Sequence, residues 1–360
     1  MRRMLDVRVC RAGKGRITIT TRGKRSVSSC VALALAAAVV AFAVEGAQAA
    51  FPGANGRIAF TSEELVWPPP EPGAPSHPGL DPDLVSSRIE TVRPNGRGRR
   101  VLGTCPTGAR CFDSAPAWSR SGERLAFVSR WEGDPSEAPD RIALVRSNGS
   151  GLYRLPALTW GHLTPALSPD GQWLSFGSRA SGGLYTARND GTGPRLIVPD
   201  AQAWSAWSMN GRIAFMANAP GARSPYTGVR YQFLQIFTAS PDGSSRRQIT
   251  RNPWYGSESP DWSPHATKLA YHAHAGDDNN IYIIGADGRG RRRVTYQGGS
   301  EPAWSPDGKH IAFIRNHDLY VIRSNGRGLR RLVDAPEQDP DRPNKKWTEL
   351  SSPSWQPLPR

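Results

Sequence analysis

The 360-residue chain has no run of apolar residues long enough to cross a bilayer. Its longest, Cys30–Val44, is fifteen residues, short of the roughly 20 that a helical span needs. It also has no Gly-x-Ser-x-Gly elbow, which argues against an α/β-hydrolase nucleophile. Cysteine is scarce: there are four, and two of them, Cys10 and Cys30, lie in the first 49 residues. Lysine is scarcer than its charge partner, six against forty arginines, although the net charge is +15. No nucleic-acid-binding motif accompanies that charge, and nucleic acid is not an expected partner.

What is present at the N-terminus explains part of the charge. Residues 1–29 are basic, residues 30–44 apolar, and Ala47-Gln48-Ala49 follows. That order is the basic region, apolar core and small-residue cleavage site of a secretory signal. The expected organisation is therefore a signal peptide over 1–49 and a mature chain over 50–360, exported to the periplasm, cell surface or medium and not membrane-spanning after cleavage. The leader holds nine Lys/Arg against two Asp/Glu, leaving +8 for the mature chain. Cys105 and Cys111, flanking a Pro/Gly loop in an exported chain, are expected to form a disulfide.

Six times an apolar strand runs into Asn-Gly or Asp-Gly: at Asn95, Asn148, Asp190, Asp242, Asp287 and Asn325, with spacings of 53, 42, 52, 45 and 38 residues. Such pairs signal type I′ hairpins, and a period near forty to fifty residues in an all-β pattern signals propeller blades. A second motif runs in phase: Pro116-Ala117-Trp118-Ser119, Pro165-Ala166-Leu167-Ser168, Ala206-Trp207-Ser208, Pro260-Asp261-Trp262-Ser263 and Pro302-Ala303-Trp304-Ser305. After each comes a turn and a strand such as Ile311-Ala312-Phe313. Each repeat thus reads as four antiparallel strands, a to d. Near the start, Ile58-Ala59-Phe60 is a strand b without its strand a, and Ser352–Pro357 is a strand a with nothing after it. The expected architecture is all-β, a six-bladed β-propeller of four-stranded antiparallel blades, closed by pairing of the N- and C-terminal strands.

The repeat resembles the WD40-like β-propeller unit of the TolB family, which reads Pro-x-Trp-Ser-Pro-Asp-Gly, an Ile-Ala-Phe strand, an Asp-Gly turn and an Arg-Leu-Thr strand. The resemblance covers about residues 51–360. It implies a propeller that binds partner proteins at the cell envelope. It extends to the propeller alone, without the N-terminal α/β domain that TolB carries.

Function is expected at the long loops, because b–c and d–a loops share one face of a propeller. These are about residues 62–87, 131–140, 218–230, 251–257 and 334–350, and the first two are acidic, with five and four carboxylates and no Lys or Arg. The corresponding ends of strand b read Arg130, Arg179, Asn218, His274 and Arg315. That cation-rich set suits an anion or a partner better than hydrolysis. A monomeric, non-catalytic scaffold for a protein or anionic envelope polymer is therefore expected, with no cofactor and no metal. The competing reading is a lyase or glycosidase-like hydrolase using the channel mouth. His272-x-His274 shares a strand face, with Asp277 and Asp278 behind it, but two such residues on one strand do not make a metal site. Arg pairs recur at strand d (Arg99-Arg100, Arg246-Arg247, Arg291-Arg292, Arg330-Arg331), either protecting sheet edges or forming a basic rim. The recurrent Trp118, Trp207, Trp262, Trp304 and Trp355 are expected in the core between blades, since their phase in strand a is fixed.

Overall fold

A computed structural model describes residues 53–66, 83–102, 105, 109–132, 140–156, 162–178, 182–223, 229–274, 279–335 and 346–359. The expected signal segment lies outside them, as do Arg179, Asp277 and Asp278. Every regular element among the described residues is a β-strand.

Asn/Asp-Gly and Ser-Pro-Asp-Gly turns join short strands into antiparallel quartets. β1 (Ala54–Val66), β2 (Asp83–Val92) and β3 (Arg100–Val101) pair in sequence, as do β4 (Cys111–Trp118), β5 (Arg124–Trp131), β6 (Arg141–Arg146) and β7 (Tyr153–Arg154). β8 (His162–Leu167), β9 (Trp173–Ser178), β10 (Leu184–Arg188) and β11 (Arg195–Val198) form a third group, and β12 (Ala201–Trp207), β13 (Ile213–Arg223), β14 (Arg230–Ala239) and β15 (Arg247–Gln248) a fourth. A fifth holds β16 (Ser257–Trp262), β17 (Lys268–His274), β18 (Asn279–Gly285) and β19 (Arg292–Arg293). The last holds β20 (Ser300–Trp304), β21 (His310–Arg315), β22 (Asp318–Arg323) and β23 (Arg330–Val333). The C-terminal strand β24 (Trp347–Leu358) pairs antiparallel with β1, Trp355 opposite Ile58 and Trp347 opposite Leu65. The sheets number five, because a single parallel bridge, Ser87 to Phe112, joins the first two groups into one eight-stranded sheet.

The Asn/Asp-Gly hairpins differ from the expected type I′ form. Each glycine has positive φ, between 78° and 88°, whereas the Asn or Asp before it does not. The glycine N–H closes a turn onto a residue three back, as Gly96 onto the Arg93 carbonyl and Gly326 onto Arg323. These are type I turns followed by a left-handed glycine. The Asn or Asp contributes its side chain instead: Oδ1 of Asn95, Asn148, Asp190, Asp242, Asp287 and Asn325 each accepts the N–H two residues on, at 2.8–3.0 Å.

Six apolar clusters lie between successive strand groups, and all five strand-a tryptophans are buried in them, with Leu167 in the sixth. One cluster joins Ile58 and Phe60 of β1 to Ala312 and Ile314 of β21 and to Trp355. Two expected loops are strand at their described ends. β1 and β2 stay paired out to Val66 and Asp83, and β13 and β14 out to Arg223 and Arg230. Buried Leu65 and Ala219 anchor these extensions on one face, so polar residues on the other face do not end the pairing. The loop expected over 334–350 likewise gives way to β24 at Trp347.

Candidate functional site

The innermost strands line a cavity of ≈ 160 Å³. Each of these strands breaks register next to a non-glycine residue at positive φ: Ala115 (53°), Thr164 (43°), Trp204 (80°), Ser259 (50°), Glu301 (53°) and Ser352 (51°). All six residues line the cavity. Such conformations cost roughly 1–3 kcal/mol each and persist only where surroundings hold them. Here the holding contacts of five of the six run from one strand group to the one before it. The amide of Ala115 donates to Thr61 Oγ1 (3.1 Å), Trp204 to Thr164 Oγ1 (2.8 Å), Ser259 to Met216 Sδ (3.2 Å) and Glu301 to His272 Nδ1 (3.4 Å). Ser352 donates to the Glu301 carboxylate.

Three charged side chains face this cavity. Arg120 stands where other repeats place the proline of Ser-Pro-Asp-Gly, and its guanidinium donates to the Trp207 carbonyl. Asp261 replaces a small residue before Trp262 and accepts the Trp304 amide at 2.7 Å. The third is Glu301. Burial lowers the Arg120 pKa to about 10 despite the opposing field of Asp261. Burial pushes Asp261 up to about 6, only partly offset by the Trp304 N–H and Arg120. Burial also raises Glu301, with the Ser352 amide opposing and Glu63 reinforcing. Asp261 and Glu301 keep some surface toward the lumen, but protein surrounds them on every other side. The Arg120 guanidinium thus opposes the charge of Asp261 in a cavity smaller than the roughly 300–1,000 Å³ of ordinary ligand pockets.

No family model matches the chain. Dipeptidyl-peptidase 5 of Porphyromonas gingivalis is 25% identical over 259 residues, which are 67% of this chain and 35% of that protein; the match thus spans about a third of the relative. Among solved structures, TolB from Acinetobacter baumannii aligns with a TM-score of 0.55 at 15% identity, over 84% of this chain and 67% of that one. A TolB-assigned protein of Agrobacterium tumefaciens aligns with a TM-score of 0.52 at 16% identity, over 83% and 99%. The fold is a TolB-like β-propeller.

In this propeller the described strand-end residues singled out from sequence, Arg130, Asn218, His274 and Arg315, do not line the central cavity. Arg130 lies over the Phe112 ring, 4.5 Å from its centroid, and 3.9 Å from Asp140. Arg315 reaches Gln297 at 3.2 Å, and Asn218 is exposed on β13. His274 is exposed at the end of β17, with Nε2 3.6 Å from Glu258 Oε1. Each of Arg130, His274 and Arg315 is engaged locally, so no shared cationic mouth forms among them. His272, buried beside it, is pushed down to about 4 by burial and by His274. Cys105 and Cys111 are disulfide-bonded.

The strand-d arginines are internal fasteners. Arg99 pairs with buried Glu90, Arg246 pairs with Asp200 at 2.6 Å and lies over Phe237, and Arg291 meets Tyr255 Oη at 2.6 Å and lies over Tyr282. Arg100, Arg247, Arg292 and Arg330 share one register position. Each donates to a turn carbonyl of another strand group: Ser147, Asp287, Ser324 and Pro94 respectively.

The loop side is different. Exposed apolar side chains occur there: Val229 and Tyr231 at the β13–β14 hairpin, Trp254 in the β15–β16 loop, and Tyr296 in the β19–β20 loop, with Arg293 4.8 Å over its ring. The Ala222 amide ties the β13–β14 hairpin to the Pro253 carbonyl at 2.8 Å, and Tyr231 packs on Phe233. Sequence reasoning missed both the lumen charges and this aromatic surface. The signal for the first was available: Asp261 and Glu301 are departures from the repeat at fixed positions of strand a, and Arg120 one in the turn after it.

Proposed function

We propose that the chain is an exported, non-catalytic propeller of six four-stranded blades that binds a protein partner through the face bearing the β13–β14 hairpin and the β15–β16 loop. Two contacts between the first and last strand groups support a ring closed by β24 and β1: the cluster around Trp355 and the hydrogen bond from Arg330 to Pro94. The Cys105–Cys111 disulfide supports an oxidising compartment.

The observation that carries the binding reading is the aromatic surface. Trp254 is 62% and Tyr296 72% exposed, and Tyr and Trp are the side chains that dominate protein interfaces. A protein fits better than an anionic polymer, because the arginines at strand d are already spent on internal acids, rings and carbonyls. The hydrolase reading has one observation in its favour, the raised pKa of Asp261, which feels Arg120, and of Glu301. Both carboxylates, however, accept amides of a neighbouring blade and so serve the scaffold.

Photo-crosslinking residues at positions 231 and 254, with controls at Met209 and Leu152 on tight turns, test the reading in the intact cell envelope. Discrete adducts from 231 and 254 alone are expected. Adducts from the turns alone reverse the face, and none from any position overturns the scaffold reading.

A further inference from the structure

The register of β16, β17 and β18 gathers ligand-type side chains that the binding surface does not use. Glu258 lies directly opposite His272, and His274 follows two residues along the same face. One nitrogen of each imidazole and one Glu258 oxygen lie within 4.8 Å of one another. The His272 and His274 ring centroids are 5.9 Å apart and edge-on.

We propose that Glu258, His272 and His274 bind a divalent transition cation of the zinc class. Two imidazoles and one carboxylate suit such ions rather than calcium or magnesium, which take all-oxygen ligand sets. Ligand atoms about 2.0–2.2 Å from zinc lie roughly 3.4 Å from each other in a tetrahedron, so the cluster needs only a modest contraction. The exposed His274 ring, at the end of its strand, is free to supply it. His272 is held in place by burial, with the Glu301 amide 3.4 Å from its Nδ1.

A second observation points the same way. Asn279, opposite His274 on β18, has a buried Oδ1 that accepts no hydrogen bond. An orphaned acceptor on the same face as two imidazoles and a carboxylate is a donor atom for a cation or for water bound to it. Among the described residues three protein ligands hold the cation, leaving positions for water or another oxygen donor. The loop-side ends of β17 and β18 carry it, next to cavity-lining Glu301.

Tag-free protein, stripped with chelator and titrated with zinc chloride by calorimetry, tests the proposal, with cobalt(II) chloride as the spectroscopic probe. One cation per chain is expected, with visible cobalt bands of a nitrogen-containing low-coordinate site. His274→Ala and Glu258→Gln should each weaken zinc by more than about 100-fold, since even outer partners of ligands are worth roughly 10–100-fold. His317→Ala, which removes an exposed histidine 3.3 Å from Glu349, should leave the isotherm unchanged. Circular dichroism of each metal-free variant verifies folding, and both substituted positions keep solvent exposure. Absence of stoichiometric binding, or tight binding retained by His274→Ala/Glu258→Gln, overturns the site.

Discussion

The lumen and the loop side of this propeller use polar and aromatic residues in opposite ways. In the lumen, Arg120, Asp261 and Glu301 are charged yet engaged, each bound to backbone of another strand group: Arg120 reaches Trp207 two groups on, while Asp261 and Glu301 accept amides of the next group. On the loop side, Tyr231, Trp254 and Tyr296 are apolar yet exposed. A charge in a central channel invites a catalytic reading, and an exposed ring is easily dismissed. Partner contacts reverse that ranking. The charged residues tie strand groups together across the lumen, Glu301 holding the strained Ser352, and the rings have surface to offer.

The comparison breaks first at the fold itself. Deleting residues 347–360 removes β24, opens the edge of β1 and strips Trp355 from its cluster. No cooperatively folded product is expected by calorimetry. Trp355→Ala alone should cost about 3–5 kcal/mol; a loss under 1 kcal/mol would mean that the β24–β1 pairing does not support the ring.

The lumen charges come next. Arg120→Met leaves Asp261 without its countercharge and should cost roughly 3–5 kcal/mol in chemical denaturation, because an enclosed carboxylate loses its partner. Adding Asp261→Asn should restore part of that loss. Equal, additive losses would show two independent side chains instead of a pair.

The same pair sets a pH dependence. The folded pKa of Asp261, about 6, lies above its ordinary value, so the folded state binds the extra proton. Its contribution to stability is therefore most favourable below about pH 4 and falls as pH rises through 6. The melting-temperature advantage of Asp261→Asn/Arg120→Met over the single Arg120→Met variant should shrink on going from pH 7 to pH 4.5. An advantage independent of pH would remove titration of Asp261 from the account.

The rim should respond less. Arg330→Ala removes one exposed link to the Pro94 carbonyl and should cost about 0.5–1.5 kcal/mol. Smallest in stability, and largest in binding, is the loop side. Trp254→Ala and Tyr231→Ala should change stability by no more than about 0.5 kcal/mol while weakening partner capture at least about tenfold, the 1.4 kcal/mol scale of a modest interface residue.

Much of this architecture is legible in the sequence. The Asn/Asp-Gly and Ser-Pro-Asp-Gly turns carry their own hydrogen-bonding chemistry, and the strand-a tryptophans occupy one phase, so strand order and core follow from local rules. Turn type is less legible, because Asn95 and its counterparts act through their side chains rather than through positive φ. The reach of β1–β2 and β13–β14 is hidden as well, since a strand solvated on one face reads as a polar loop. The lumen charges are visible only as exceptions, Arg120 in place of proline and Asp261 in place of alanine. The arginine fasteners are invisible without coordinates, because a carbonyl acceptor on another blade leaves no mark in sequence.

Hydrogen exchange on the propeller alone and joined to its crosslinked partner addresses the division between scaffold and surface most directly. The account predicts protection within residues 229–235 and 251–257, with the tight turns around Gly171, Gly243 and Gly308 unchanged. Protection confined to those turns, or to the inner strands around Asp261 and Glu301, would contradict it.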